Sequence, residues 1–273
     1  QWTQIGPNYG SSNDPAPMIN NFFAVGDTLF SANNVFGVHY STDFGATWCE
    51  TGMTAGNNKF IAKSGNIILT GTSNINRSTN NGDNYSPTNI SATLFSIDFK
   101  NHIAMAGSTN GIYLSTNYGA NWTNPVVSGT YTAVAIDGNT LYAGTSTALY
   151  RSTNLGISFE AMLSPRNINA ITVSGTKIYA ASTTGIDVST NQGATWSALN
   201  TITNVKSLAA NGSNIVAASG SDILRSSNDG ANWTTAYTSS SAINKISYLN
   251  GSFAALDASS VLRSSDTSAS LDE

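Results

Sequence analysis

Eight residues beginning at Ser41, STDFGATW, return as STNNGDNY at Ser78, STNYGANW at Ser115, STNLGISF at Ser152, STNQGATW at Ser189 and SSNDGANW at Ser226. Each start lies 37 residues after the one before it. A seventh, decayed copy, SSDTSASL, starts at Ser264, 38 residues further on, and lacks both the glycine and the aromatic. This period constrains the fold more than any other property of the chain. A unit so short cannot bury its own apolar face and must stack on its neighbours.

The text between boxes repeats too. TAVAIDGNTLYAGTSTALYRST (Thr132 to Thr153) aligns with NAITVSGTKIYAASTTGIDVST (Asn169 to Thr190) and KSLAANGSNIVAASGSDILRSS (Lys206 to Ser227). Short apolar runs alternate at period two, parted by Asp137-Gly138, Ser174-Gly175 and Asn211-Gly212. Such runs read as strands joined by hairpins, and no 3.6-residue period is sustained anywhere. In one unit the strands are expected at Ala133 to Ile136, Thr140 to Gly144, Ala148 to Ser152 and from Phe159 onward, with the box in the hairpin between the third and fourth. Four strands in a unit of this length predict a blade, and the chain an all-β, seven-bladed propeller of four-stranded antiparallel blades.

The ends fit that scheme. The last unit has three strand-like runs (Ile243 to Leu249, Ser252 to Leu256, Val261 to Ser264) and no fourth, while Trp2-Thr3-Gln4 resembles the text after a box. Residues 1–6 are therefore expected to pair with 243–266, completing the last blade and removing a free sheet edge. One domain, residues 1–273, follows.

The pattern Ser/Thr-x-Asp/Asn-x-Gly-x-Thr/Ser/Asn-aromatic resembles the Asp-box, or BNR repeat, of the sialidase-like propeller superfamily, and the resemblance spans the whole chain. That superfamily includes sialidases, sortilin-type receptors, xyloglucan-cleaving enzymes and photosystem assembly factors. The resemblance implies that the box is a structural turn distant from any active site. The chemistry of the residues agrees. Asp43, Asn80, Asn117, Asn154, Asn191 and Asn228 can fold onto nearby backbone amides in Asx-turns. Gly45, Gly82, Gly119, Gly156, Gly193 and Gly230 supply a positive φ. Trp48, Tyr85, Trp122, Phe159, Trp196 and Trp233 are expected to plug the spaces between blades. A calcium loop is disfavoured, because the third position is Asn in five of the six intact boxes and brings no charge.

Candidate catalytic groups do not assemble. Arg77, Arg151, Arg225 and Arg263 each precede a box, so the ring spreads them apart rather than converging them on one carboxylate as a sialidase requires. They read as supports for the hairpins. Only Arg166 is out of register. Glu50 and Glu160 both follow box aromatics, and no pair of carboxylates suited to glycoside hydrolysis can be nominated. His39 and His102 lie in different blades and read as filler or surface. Cys49, the one cysteine, reads as a small apolar core residue and excludes a disulfide framework.

Charged residues make up 10% of the chain and the net charge is -4, which argues against a nucleic-acid or anionic-membrane partner. No run is long and apolar enough to span a bilayer. Gln1 in place of Met points to a removed leader, and the Ser-, Thr- and Asn-rich composition to a secreted, periplasmic or cell-surface protein of bacterial type.

From box aromatic to next box the chain runs 30 or 31 residues, but from Trp2 to Ser41 it runs 39. Most of the excess falls in Gly6 to Asn20, rich in Pro, Gly and Asn. Loops grown on a constant scaffold carry function. Tyr9, Asn13 and Asp14 of this insertion, with Tyr131 and Arg166 on blade-connecting loops of the same face, are the candidate binding rim. The expectation is a non-catalytic monomer without metal or cofactor, binding protein or carbohydrate. A sialidase-like glycoside hydrolase is the rival. A role like that of the photosystem assembly factor is disfavoured by the lack of a basic patch.

Overall fold

Each unit folds as an antiparallel meander because its apolar runs alternate and its turns are built for reversal. Gly138, Gly175 and Gly212, at φ of 56°, 59° and 58°, turn the first hairpin of their units in open space. The computed structural model describes residues 2–4, 19–25, 28–43, 45–123, 125–164, 166–199, 202–249, 251–257 and 260–264. All regular elements among them are strands, arranged in seven sheets around one ring. Blade 1 comprises Ile19–Val25, Thr28–Asn33, Val38–Ser41 and Cys49–Glu50, and blade 4 Ala133–Asp137, Thr140–Gly144, Leu149–Ser152 and Glu160–Leu163. The latter bounds match the sequence expectation to within one residue.

Blade 3 departs from the pattern. Among the described residues its sheet has three strands, Leu94–Lys100, Ile103–Ser108 and Ile112–Ser115. Thr123 and Val126 still donate their amides to the carbonyls of Leu114 and Ile112. Pro125, which has no N–H, stands between them and interrupts a regular fourth ladder.

The ring closes as the two chain ends require. Trp2–Gln4 pairs antiparallel with Val261–Ser264, Trp2 opposite Ser264 and Gln4 opposite Leu262, as the outer strand of the blade formed by Lys245–Leu249 and Ser252–Leu256.

Every box is held by the same contacts. The serine hydroxyl accepts the glycine amide four residues on at 2.6 to 3.0 Å. It donates to the Asp or Asn side-chain oxygen, which in turn accepts the amide of the residue before the aromatic at 2.8 to 3.1 Å. The glycines lie at φ of 72° to 102°. The residue before the glycine is also left-handed in five boxes, with Asn81, Tyr118, Leu155, Gln192 and Asp229 at 54° to 62°, which sequence reasoning did not anticipate. That conformation costs a non-glycine residue about 1 kcal/mol or more, so the box hydrogen bonds must hold it.

The aromatics mark the seams. Seven apolar clusters lie between consecutive blades, and each contains the box aromatic of the later blade or, in one case, Trp2. Trp48 joins the seam of blades 7 and 1, Tyr85 that of 1 and 2, Trp122 2 and 3, Phe159 3 and 4, Trp196 4 and 5, and Trp233 5 and 6. The seventh seam, between blades 6 and 7, takes Trp2. The closing strand thus brings the aromatic that the decayed seventh box lacks. The indoles of Trp48, Trp122, Trp196 and Trp233 also donate to their own box glycine carbonyls at 3.0 to 3.1 Å. The box glycines face the preceding blade closely. A Cβ on Gly119 would stand 2.6 Å from Leu69, and one on Gly230 2.4 Å from Leu199.

One expectation is extended and one is corrected. The in-register arginines do support their own blades, Arg151 through Glu160 on the fourth strand of its hairpin, Arg225 through Asn214 and Arg263 through Ser252, and two of them also brace the next blade. Arg77 Nε donates to the Tyr118 carbonyl at 2.7 Å, and Arg151 Nη1 to the Gln192 carbonyl, each at the left-handed position of the following box. Cys49 is exposed rather than buried, because it lies on the outermost strand of its blade, which has no further blade edge to cover it.

Trp2→Ala should lower unfolding free energy by roughly 2 to 3 kcal/mol, the value of one large half-buried side chain, and Trp122→Ala, almost wholly buried, by about 3 to 5 kcal/mol. Equilibrium urea unfolding checks both. A second prediction concerns acid. Asp43 is held down to about 2 by the Thr47 hydroxyl and amide and the Ser41 hydroxyl, while the other intact boxes carry neutral Asn. A depressed carboxyl stabilises above its ordinary range and loses that contribution as pH falls toward its folded value. Asp43→Asn should therefore flatten the fall in stability between pH 4 and pH 2, measured by denaturant midpoints across that window.

Candidate functional site

The inner strands of the blades surround a central cavity of about 880 Å³. Their first residues lie on the face that carries the blade-connecting loops; Asn204 and Ala242 line the cavity from those loops, and Thr183 and Gly220 from the hairpins between second and third strands on the same face. The box hairpins, joining third to fourth strands, lie on the opposite face.

Local irregularity aims side chains at the mouth. In four inner strands the pairing register shifts by one residue, between Ile19 and Asn21, Leu94 and Ser96, Ile168 and Ala170, and Val205 and Ser207. The extra residues are Asn20, Phe95, Asn169 and Lys206. Such bulges re-aim a side chain that a regular ladder would send to a neighbouring sheet. Thr132 and Asn244 immediately precede the inner strands of blades 4 and 7 and complete this belt.

Most of the belt is spent on holding the ring. Asn20 Nδ2 donates to the Asn58 carbonyl at 2.8 Å, Thr132 Oγ1 to that of Ile168 at 2.8 Å, and Asn169 Nδ2 to that of Val205 at 2.9 Å. Lys206 Nζ donates to Asn244 Oδ1. Phe95 is the exception, an aromatic ring left 46% exposed at the mouth.

Below the belt the charged lining is Asp98, Lys100 and Lys245. Asp98 is occupied. Its oxygens accept the amides of Ile136 at 2.7 Å and Phe99 at 2.9 Å, and Lys100 Nζ stands 3.8 Å away. Lys100 also donates to the Ile136 carbonyl. Lys245 is half-buried, and its ammonium has no hydrogen bond or ion pair among the described residues. Burial pushes its pKa down, and the Asp98 carboxylate opposes that shift.

The sequence-predicted rim does not assemble as a set. Tyr9, Asn13 and Asp14 lie outside the described residues. Tyr131 does lie on a blade-connecting loop, but its ring is 3% exposed and packs in the seam of blades 3 and 4 against Tyr150. Arg166, also on a connecting loop, pairs with Asp187 of the next blade, Nε to Oδ2 at 2.8 Å. Asp187 is buried, which explains why an arginine stands out of register. His39 is buried against Asn33, and burial lowers its pKa against the raising effect of Glu50. The cavity residues Phe95 and Lys245 were missed. Their signal was available as departures from the polar or small residues at the same place in other units, Ser207 standing where blade 7 has Lys245.

Comparison with known proteins adds the fold. No protein-family model matches the chain, and no curated protein does. Solved structures match over nearly the full chain. The extracellular domain of the putative one component system BT4673 from B. thetaiotaomicron aligns at 15% identity and TM-score 0.78, covering 97% of this chain and 40% of that one. YCF48 bound to D1 peptide aligns at 16% and 0.73, covering 96% and 94%. The GH74 xyloglucanase from Xanthomonas campestris aligns at 12% and 0.73, covering 98% and 54%. The chain is similar to all three as a seven-bladed β-propeller.

Arg166→Ala should destabilise the protein by roughly 1 to 3 kcal/mol, because it strands a buried carboxylate. Adding Asp187→Asn should recover part of that loss. A double-mutant cycle by urea unfolding reads the coupling.

Proposed function

We propose that this propeller is a binding scaffold for protein, taking an extended peptide segment at the mouth of the central cavity, and that it does not hydrolyse what it binds. The observation that carries this reading is the belt at the mouth. It combines amide side chains, a lysine and an exposed Phe95 on bulged inner strands, and a preformed concave site of this kind suits a short segment. The cavity's carboxylate, Asp98, is tied up by two backbone amides and a lysine. It is poorly placed to serve as acid, base or nucleophile in glycoside cleavage, which calls for two carboxylates acting together.

Peptide is favoured over carbohydrate by the aromatics. Sugar rings stack on broad exposed aromatic faces, and all five tryptophans of the chain lie in the seams between blades. YCF48, a propeller of the same architecture, is described bound to a peptide. The box is read as the Asp-box of sialidase-like propellers, on the strength of its Ser, Asp/Asn and Gly hydrogen bonds. We further propose that residues 1–273 form one domain and that the protein is a secreted or cell-surface monomer.

Incubation of the purified protein with a peptide array, a glycan array and a panel of chromogenic glycosides tests the function. Retention of peptides with no glycoside turnover is expected. Turnover abolished by Asp98→Asn, or retention of glycans alone, overturns the reading.

A further inference from the structure

The protein as a whole is acidic, with a net charge of -4, yet its central cavity is lined by three lysines and one carboxylate among the described residues. A low-dielectric funnel lined mainly by one sign of charge concentrates ions of the other sign. The three lysines are not equivalent. Lys100 is held by Asp98 and the Ile136 carbonyl, and Lys206 by Asn244. Lys245 alone of the three has neither a hydrogen bond nor an ion pair to a described residue.

An ammonium taken partly out of water with no hydrogen bond or ion pair, the Asp98 carboxylate acting on it only through its field, is costly, and it persists where the surroundings leave no cheaper arrangement or where a ligand completes it. Here the surroundings offer room. The equivalent inner-strand positions in blades 3 to 6 and blade 1 are small or neutral, Ser96, Ala133, Ala170, Ser207 and Asn21. Ser96 and Ser207 use their hydroxyls to accept the amides of Val134 and Ile246 on the next blade. Lys245, being a donor, cannot make that contact. One residue nearer the mouth stands Phe95, its ring exposed.

We propose that Lys245 binds the terminal carboxylate of a peptide whose end enters the cavity, with Phe95 contacting an apolar side chain near that end. This rests on the peptide-binding reading above. An ammonium–carboxylate hydrogen bond shielded from bulk water is among the stronger single contacts available to such a site. A chain terminus fits the geometry better than an internal segment, because the contact lies inside the cavity, below the belt.

The test uses the protein as it stands, immobilised and exposed to an equimolar library of N-acetylated hexapeptides, half with free C-termini and half C-terminally amidated. Retained species are read by mass spectrometry. Free acids are expected to be enriched about tenfold over the matching amides, the order of one charge-assisted contact. Lys245→Met should abolish that preference and Lys245→Arg keep most of it, with thermal unfolding midpoints recorded for both. Equal retention of acids and amides by the unaltered protein leaves peptide binding intact and overturns the carboxylate contact. A preference that survives Lys245→Met overturns it as well. Retention of no peptide at all sinks this proposal together with the binding reading on which it rests.

Discussion

The apolar seam between neighbouring blades is the interaction on which everything else in this protein depends. A single meander has two faces and can cover neither, so each blade is stable only when clamped on both sides. Seven seams, each with one ring from a box or from Trp2, provide the clamp. The box hydrogen bonds matter because they fix the hairpin that delivers the ring. The serine–glycine and Asx contacts hold a two-residue left-handed turn that most side chains resist, and the glycine is bare because the preceding blade comes too close for a Cβ.

Periodicity made the architecture readable before any coordinates. The boxes set the number of blades, the turn pairs set the hairpins, and the misplaced Trp2 announced the closure. What escaped were interactions whose partners lie one blade away. Arg77 and Arg151 also reach the next box, a contact that exists only once the ring brings that box within range. Arg166 looked free because Asp187 is twenty-one residues downstream on another sheet. Cys49 was misjudged because strand position within a blade, inner or outer, decides exposure, and alternation alone cannot report it. In blade 3 the described residues show three ladder strands, with the outer edge held by the amides of Thr123 and Val126 on either side of Pro125.

The cavity was the least visible part of the sequence for a related reason. Its lining comes from one or two residues per unit, and a bulge must be present before those residues turn inward. A regular strand of the same composition would have hidden Phe95 in a seam. The same belt serves two purposes, joining blades through Asn20, Thr132 and Asn169 and presenting Phe95 to whatever enters. The positions at the mouth therefore join blades and expose Phe95 at once, whereas the box contacts hold hairpins and seams.

The closing pair also sets how the ring responds to force. Trp2 and Ser264 face each other across the last ladder, so a pull on the chain at those two residues acts at the same end of the pair. The ladder is then loaded one hydrogen bond at a time, as a zipper is, rather than all together in shear. The seventh blade would peel before any other yields, and Trp2 would leave its seam with the first step. The ring thus has one mechanically soft joint, the ladder of Trp2–Gln4 with Val261–Ser264.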